Sequence, residues 1–524
     1  MFENLSIVRS LKMNTYKNPI VRGFYPDPSV VRVGEDYYMV NSTFQYFPAI
    51  PIHHSKDLVH WELIGHVITD NDGLDLSETS DSHGIWAPDI SYCNGEFYVF
   101  ATLRLNDPPE NTTGKLRKTL FMKSKNPEGP YTKPVVLDID SIDPSHFVDD
   151  DGTHYCITAP GITITKLTDD CTQIAEPTVH VWDGTGLRCA EGPHILRKDG
   201  WYYAILAEGG TGFGHQISVG RSKNLFGPYE SSPHNPALKQ TDPTAELQRS
   251  GHGDLVQTQN GDWWVTYLCG RANEGGYTTV GRETGLDKVT WTDDGWFIVN
   301  DGNGPSAENE APDLPWTEYE EKTFDDFDDD KLSLEWEFVR NPRHEKISLT
   351  KNKGYLTIEA GEFDLDKRSS YNTIVRRETE LSYRFSTKLE FDPKEKDQQA
   401  GITCYYGINN HIKCCMIYDN GKKLRLYENR NAEKSIMGEV SLDNDVKIVY
   451  LKVRVIKQTR EFFYSFDNEN WYLLGRVVRC TFLCDEGVTV GKHHTGTLVG
   501  LYAYNGENAK TIDAKFDWTD YKTY

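Results

Sequence analysis

Four short motifs place acidic or imidazole side chains beside turn residues: YPDPS with Asp27, IDPSH with Asp143, AEGPHI with Glu191, and GHGDL with His252 and Asp254. A fifth, WAPDI, carries Asp89. Carboxylates gathered in one place are costly to bury unless they are hydrogen-bonded, share protons or hold a metal. A fold gains nothing structural from such a cluster, so function is the better explanation for one. Two carboxyls facing a shared space, with a third tuning one of them, form the arrangement that hydrolyses a glycosidic bond through an oxocarbenium-like transition state. One must be ionised to take a proton from water, and the other must stay protonated to supply the leaving oxygen. A nearby anion raises the pKa of the donor and keeps it protonated near neutrality.

These side chains meet only if the chain repeats, and it does. GEDYYMV (34–40), GEFYVF (95–100), GTHYCI (152–157), GWYYAI (200–205) and GDWWVT (261–266) each read as a turn glycine, a short spacer, an aromatic pair and an apolar strand, with His-Tyr as the pair in the third copy. With Tyr38, Tyr98, Tyr155, Tyr203 and Trp264 as equivalent markers, the intervals are 60, 57, 48 and 61 residues, which suits a four-stranded unit with loops. A second element, HHSKDLVHW, MKSKNPEGPY or GRSKNLFGPY, follows three of these strands. Five such units in series without helical periodicity predict a five-bladed β-propeller; an open array of β-repeats is the alternative. In a propeller the first strand of each blade lines the central axis. Asp27, Asp143, Glu191 and His252 stand 11, 12, 12 and 12 residues before their markers, so they are expected at similar heights around one funnel.

Asp27 is also bracketed by Pro26 and Pro28. Proline fixes its own φ and disfavours helix at the preceding residue, so Tyr25 and Asp27 are both expected in an extended conformation. In isolation YPDPS would be a solvated turn.

In this order and with a five-fold repeat, YPDPS, IDPS, EGPHI and GHGD resemble glycoside hydrolase family 43, in particular its two-domain β-xylosidases and α-L-arabinofuranosidases. The resemblance implies a general base at Asp27, a pKa-tuning and orienting aspartate at Asp143, and a general acid at Glu191. It further implies inversion by a single displacement, which needs room for a water between acid and base. Phe44, in NSTFQYF, and Trp86, in GIWAPDI, match positions where related enzymes put rings in the sugar pocket; core packing is the other reading of both. Arg282, in VGRETG, resembles an arginine that reaches the sugar hydroxyls and the tuning carboxylate, with a surface ion pair as its alternative. His252 has two roles open to it: ligating a structural calcium in the channel, or supplying the electrostatic role without metal. Calcium prefers oxygen ligands, so one histidine argues weakly for it, and no cofactor is required.

Residues 301–322, acidic and punctuated by Pro305, Pro312 and Pro315, read as a linker. The expected division is a propeller over 1–315 and a C-terminal domain over 316–524. Segments such as GYLTIEA, RFSTKLEFD, AGITCYYG, KIVYLKVRVI and TLVGLYAY predict an antiparallel β-sandwich, similar to the family's jelly-roll-like domain. Related enzymes extend a sandwich loop toward the pocket; GKHHTGTLVG (491–500) resembles it, with His493 and His494 where an aromatic is expected.

A chain of 524 residues exceeds one ordinary core, and 38 % apolar with 12 % aromatic residues describes a folded, turn-rich protein. A net charge of −23 argues against a nucleic-acid surface. The start has no apolar stretch of signal-peptide length and no window approaches a membrane span, so a cytoplasmic protein is expected. The ten cysteines lack zinc spacing and read as reduced core filling. The expected partner is a small oligosaccharide, with homo-oligomerisation open. An exo-acting enzyme releasing xylose or arabinose is the leading function; an endo-acting arabinanase and a non-catalytic sugar-binding propeller are the alternatives.

Overall fold

The computed structural model describes residues 14–70, 73–108, 114–491, 494–506 and 510–524. These contain no α-helix. Five antiparallel sheets follow one another along the chain, spanning Ser29–Ile68, Gly84–Leu137, Ser145–Trp182, Glu191–Lys239 and Leu247–Val299, and form blades 1 to 5 of a β-propeller. The glycines of the five repeats (Gly34, Gly95, Gly152, Gly200, Gly261) all take positive φ, between 68° and 93°, at the tight turn joining the first two strands of each blade. That conformation suits glycine, which accounts for its recurrence there. The second strand, as in Trp201–Glu208, is buried almost throughout because neighbouring blades cover both its faces.

The ring is closed by the segment ahead of blade 1. Thr15–Lys17 pairs with Glu308–Glu310, beyond blade 5. The Asn18 side chain donates to the Leu286 carbonyl at 2.8 Å and accepts from the Leu286 N–H at 2.9 Å, tying the entrance of the chain to the third strand of blade 5. Part of the expected linker, Glu308–Glu310, is thus a strand that helps close the ring.

From Phe324 onward the chain forms an antiparallel sandwich of two eight-stranded sheets. Strands such as Ile448–Ile456 alternate buried and exposed residues, as a sheet with one face in a core must. One strand of the second sheet comes from the propeller: Tyr46–Phe47, between the second and third strands of blade 1, pairs with Glu337–Val339. A single apolar cluster runs from Val40 and Ile52 of blade 1, through Val99 and Leu120 of blade 2, to Phe338, Ile402 and Leu501 of the sandwich. The two domains therefore share a core and a sheet.

Candidate active site

The inner strands open onto a cavity of about 290 Å³. Asp27, Phe44, Trp86, Asp143, Glu191, His252 and Arg282 all line it, with Arg188 and Cys189 from the chain ahead of blade 4 and His494 from the sandwich. Asp27 and Asp143 each stand two residues before the first strand of their blade, and Glu191 is the first residue of its strand. His252 lies within Leu247–Gln257, where the register shifts between Gly251 and Gly253. Arg282 directly precedes Glu283–Trp291.

Asp27 is not extended. Its φ is +55°, and Asp143 and His252 share the left-handed conformation at +55° and +50°. A following proline keeps Asp27 out of the right-handed helical region but does not dictate an extended chain, and aspartate tolerates positive φ better than most residues. The carboxylate is anchored from two sides, by Ser42 Oγ donating to Oδ2 at 2.6 Å and by Arg282 Nη1 donating to Oδ1 at 2.9 Å. Positive φ also occurs at ordinary turns of this chain, such as Asn94 and Asp199, so the site is marked by the convergence of the three side chains on one cavity.

The three carboxyls occupy different electrostatic surroundings. Burial pushes the pKa of Asp27 up, but Arg282, His252 and the Ser42 hydroxyl outweigh it and hold Asp27 below the usual value. Asp143 is raised, chiefly by burial and, against the pull of His252, by the Asp27 charge; its Oδ2 accepts the Gly192 N–H at 2.9 Å. Glu191 is pushed up to about 8 by burial and by the negative charges of Asp143 and Asp27, with Arg282 and Arg188 opposing. Side by side in one cavity stand a carboxylate held ionised and a carboxyl held protonated at neutral pH.

Arg282 is 3 % exposed, so its ion pair with Asp27 is a buried one. The Phe44 ring lies 5.9 Å from that of Trp86 and 5.6 Å from the Arg282 guanidinium. Phe44 is held by an antiparallel bridge to Ile85, and the Trp86 indole donates to the Ser82 carbonyl at 2.9 Å. Both rings belong to the core and to the cavity wall, so packing and pocket are not exclusive for either. His252 Nδ1 is 3.7 Å from Asp27 Oδ1, too far for a hydrogen bond.

Among the described residues no trio of ligating groups includes His252, and both Asp27 oxygens are engaged by Ser42 and Arg282. Oxygen donors converge instead in the group of Asp89, His194 and Asp254. A second mixed group, His146, His154 and Cys171, belongs to blade 3 and makes internal contacts: His146 Nε2 and His154 Nδ1 are 2.9 Å apart.

Several contributors have no sequence signal. Ser42 accepts the Ala87 N–H at 2.7 Å while holding Asp27, and nothing in NSTFQ marks it. His215 is fully buried beside His252 and Asp27, which with Arg282 bear on its pKa; burial lowers it to about 3 and keeps the ring neutral. The sandwich loop reaches the pocket through His494, whose carbonyl accepts from Arg282 Nη2 at 3.1 Å; His493 lies outside the described residues. A larger cavity of about 350 Å³ lies elsewhere along the seam between the domains; of its three acids Glu380 pairs with Arg22 and Arg271, Glu321 with Arg376, and Glu335 accepts the Ser333 hydroxyl.

Comparison with known proteins agrees with this geometry. Residues 16–297 match the family described as Glycosyl hydrolases family 43, and residues 324–522 match the Beta xylosidase C-terminal Concanavalin A-like domain. The chain is 36 % identical to a xylan 1,3-beta-xylosidase from Vibrio sp, over 97 % of this chain and 99 % of that one. It is 34 % identical to a non-reducing end alpha-L-arabinofuranosidase from Bacteroides ovatus, over 98 % and 96 %. Among solved structures, the GH43 protein BlXynB from Bacillus licheniformis superposes with a TM-score of 0.95 at 54 % identity, covering 98 % of this chain and all of that one. With the motifs, the fold and the relatives in agreement, the chain belongs to glycosyl hydrolase family 43 and is a glycosidase.

Proposed function

We propose that this glycosidase acts from the chain end, with inversion, releasing terminal xylose or arabinose from short oligosaccharides. The observation that carries the reading is the split between Asp27, held ionised by Arg282, and Glu191, pushed up to about 8 in the same cavity. Asp27 is the general base: it takes a proton from water as the water oxygen attacks the anomeric carbon. Glu191 is the general acid: it gives its proton to the glycosidic oxygen as the bond to the leaving sugar breaks. Asp27 ends protonated and Glu191 ionised, and exchange with solvent resets both. Asp143 keeps Glu191 protonated by its charge and holds the Gly192 backbone next to it.

Phe44 and Trp86 supply apolar walls for a sugar face, and Arg282 a donor for its hydroxyls. A volume of about 290 Å³ is at the small end of ligand sites, which run from about 300 Å³ upward, and the sandwich residue His494 stands at the wall. Both features favour a closed, chain-end pocket over an open cleft. Relatives named for xylosidase and for arabinofuranosidase activity support both pentoses. The reading uses no metal or other cofactor. It places the enzyme in the cytoplasm, in keeping with ten cysteines that are all unpaired; no helix among the described residues is long and apolar enough to cross a membrane.

The test is release of 4-nitrophenol from the β-D-xylopyranoside and the α-L-arabinofuranoside, assayed side by side with xylotriose digestion. Turnover of either aryl pentoside with monosaccharide as first product supports the reading. Internal cleavage without early monosaccharide overturns it.

A further inference from the structure

Arg282 is gripped from both domains. On the propeller side it pairs with Asp27, and on the sandwich side its Nη2 donates to the His494 carbonyl at 3.1 Å. His494 has φ of +92°, an unusual backbone for a non-glycine residue, and its N–H donates to Asp485 Oδ1 at 2.7 Å. The Asp485 side chain is 8 % exposed, accepts the Tyr406 hydroxyl at 2.6 Å, and pairs through Oδ2 with Arg249 Nη1 at 3.3 Å. The next residue, Glu486, receives Arg249 Nη2 at 2.9 Å and the N–H and hydroxyl of Thr278 at 3.1 and 2.9 Å. Arg249 stands three residues before His252 on the inner strand of blade 5 and is itself 6 % exposed.

The backbones of the two domains also meet without room for a side chain. A Cβ on Gly281, the neighbour of Arg282, would lie 2.7 Å from Gly496 Cα, and one on Gly496 would lie 2.4 Å from the Val280 carbonyl oxygen. The Thr497 N–H donates to the Thr279 carbonyl at 3.2 Å. The stretch Thr278–Arg282 is therefore clamped along its length by sandwich residues 485–497. Carboxylates with two or more fixed donors at such a seam do more than a surface pair, whose contribution is usually under about 1 kcal/mol.

We propose that Asp485 and Glu486 of the sandwich are positioning residues for hydrolysis: through Arg249, Thr278 and the His494 main chain they fix Arg282 on Asp27, so the second domain completes the site. The inference rests on Asp27 as the base. Asp27 is faced by Arg282, His252, His215, Asp143 and Glu191, and among the described residues Arg282 is the one of these with a hydrogen bond to the sandwich. Loosening its hold therefore raises the Asp27 pKa, and the acid limb of the rate profile moves to higher pH.

The experiment compares wild type with Asp485→Asn, which keeps an acceptor for Tyr406 and His494 but removes the charge facing Arg249, and with Glu486→Gln. On whichever aryl pentoside the enzyme turns over, kcat/KM is expected to fall about ten- to a hundredfold, mainly through kcat, with the acid limb displaced upward. Lys422→Met, which removes a buried ammonium paired with Asp392 at 2.6 Å elsewhere in the sandwich, serves as the control for lost stability alone and should leave the limb in place. Folded Asp485→Asn and Glu486→Gln proteins with an unmoved acid limb and unchanged kcat overturn the proposal, as does an equal shift in Lys422→Met. Asp27→Asn run in the same series separates the two claims: if it keeps wild-type activity, the base assignment fails; if it is inactive while the Asp485 and Glu486 variants behave as wild type, only the positioning role fails.

Discussion

Arg282 and Asp27, 255 residues apart in sequence, join at 2.9 Å across the place where blade 5 closes onto blade 1. The pair is buried on both sides, so closing the ring and holding Asp27 ionised are one structural event. The proposed acid–base division of labour depends on this contact.

The division sets the pH profile. Asp27 must be ionised and is held below the usual carboxylate value, while Glu191 must be protonated and is raised to about 8. A plot of kcat/KM against pH should be bell-shaped, its acid limb below the ordinary aspartate value and its basic limb near 8. Glu191→Gln should abolish the basic limb along with most of the activity on natural substrates.

Removing the arginine should damage stability and chemistry together. Arg282→Met leaves Asp27 buried without its counter-charge, which costs about 3–5 kcal/mol when a buried pair loses one partner. The expected result is a lower unfolding midpoint in urea, and, in the protein that remains folded, an acid limb moved upward as the Asp27 pKa rises. An unchanged limb would show that Arg282 does not control the base.

How much of this was readable beforehand follows from distance along the chain. The five blades repeat a local pattern, glycine, aromatic pair and apolar strand, so their number and the convergence of Asp27, Asp143, Glu191 and His252 are legible in the sequence. Ser42 and His215 reach the site through loops with no such pattern. The two-residue strand Tyr46–Phe47 exists only because Phe338 and Val339 lie beside it, and no local propensity encodes a partner that far away. The backbone of Asp27 escaped for a different reason: the rule for residues before proline excludes one region but leaves more than one open, and the partners of its side chain, Arg282 and Ser42, lie far along the chain or in a loop.

The stereochemistry of the product follows from the base. If Asp27 activates water on the face opposite the leaving group, proton NMR during the first turnovers of a β-xyloside should show α-xylose ahead of mutarotation. Early β-xylose would make Asp27 a nucleophile.

Chelation tests the reading at His252. Asp27 is already engaged by Arg282 and Ser42, and the proposed acid–base chemistry draws on no calcium there. Turnover after dialysis against EDTA should match that of the untreated enzyme, and a loss reversed by added calcium would show that a metal belongs to the site.

The central claim is that Glu191 donates the proton to the leaving group, and one comparison tests it most directly: kcat/KM of Glu191→Ala on xylobiose and on 4-nitrophenyl β-D-xylopyranoside, each relative to wild type. The xylose that leaves from xylobiose departs as an alkoxide unless its glycosidic oxygen is protonated, whereas 4-nitrophenolate leaves with little help. A loss of about 10²–10⁴ is expected on xylobiose and a far smaller one on the aryl glycoside. Equal losses on the two substrates would contradict it.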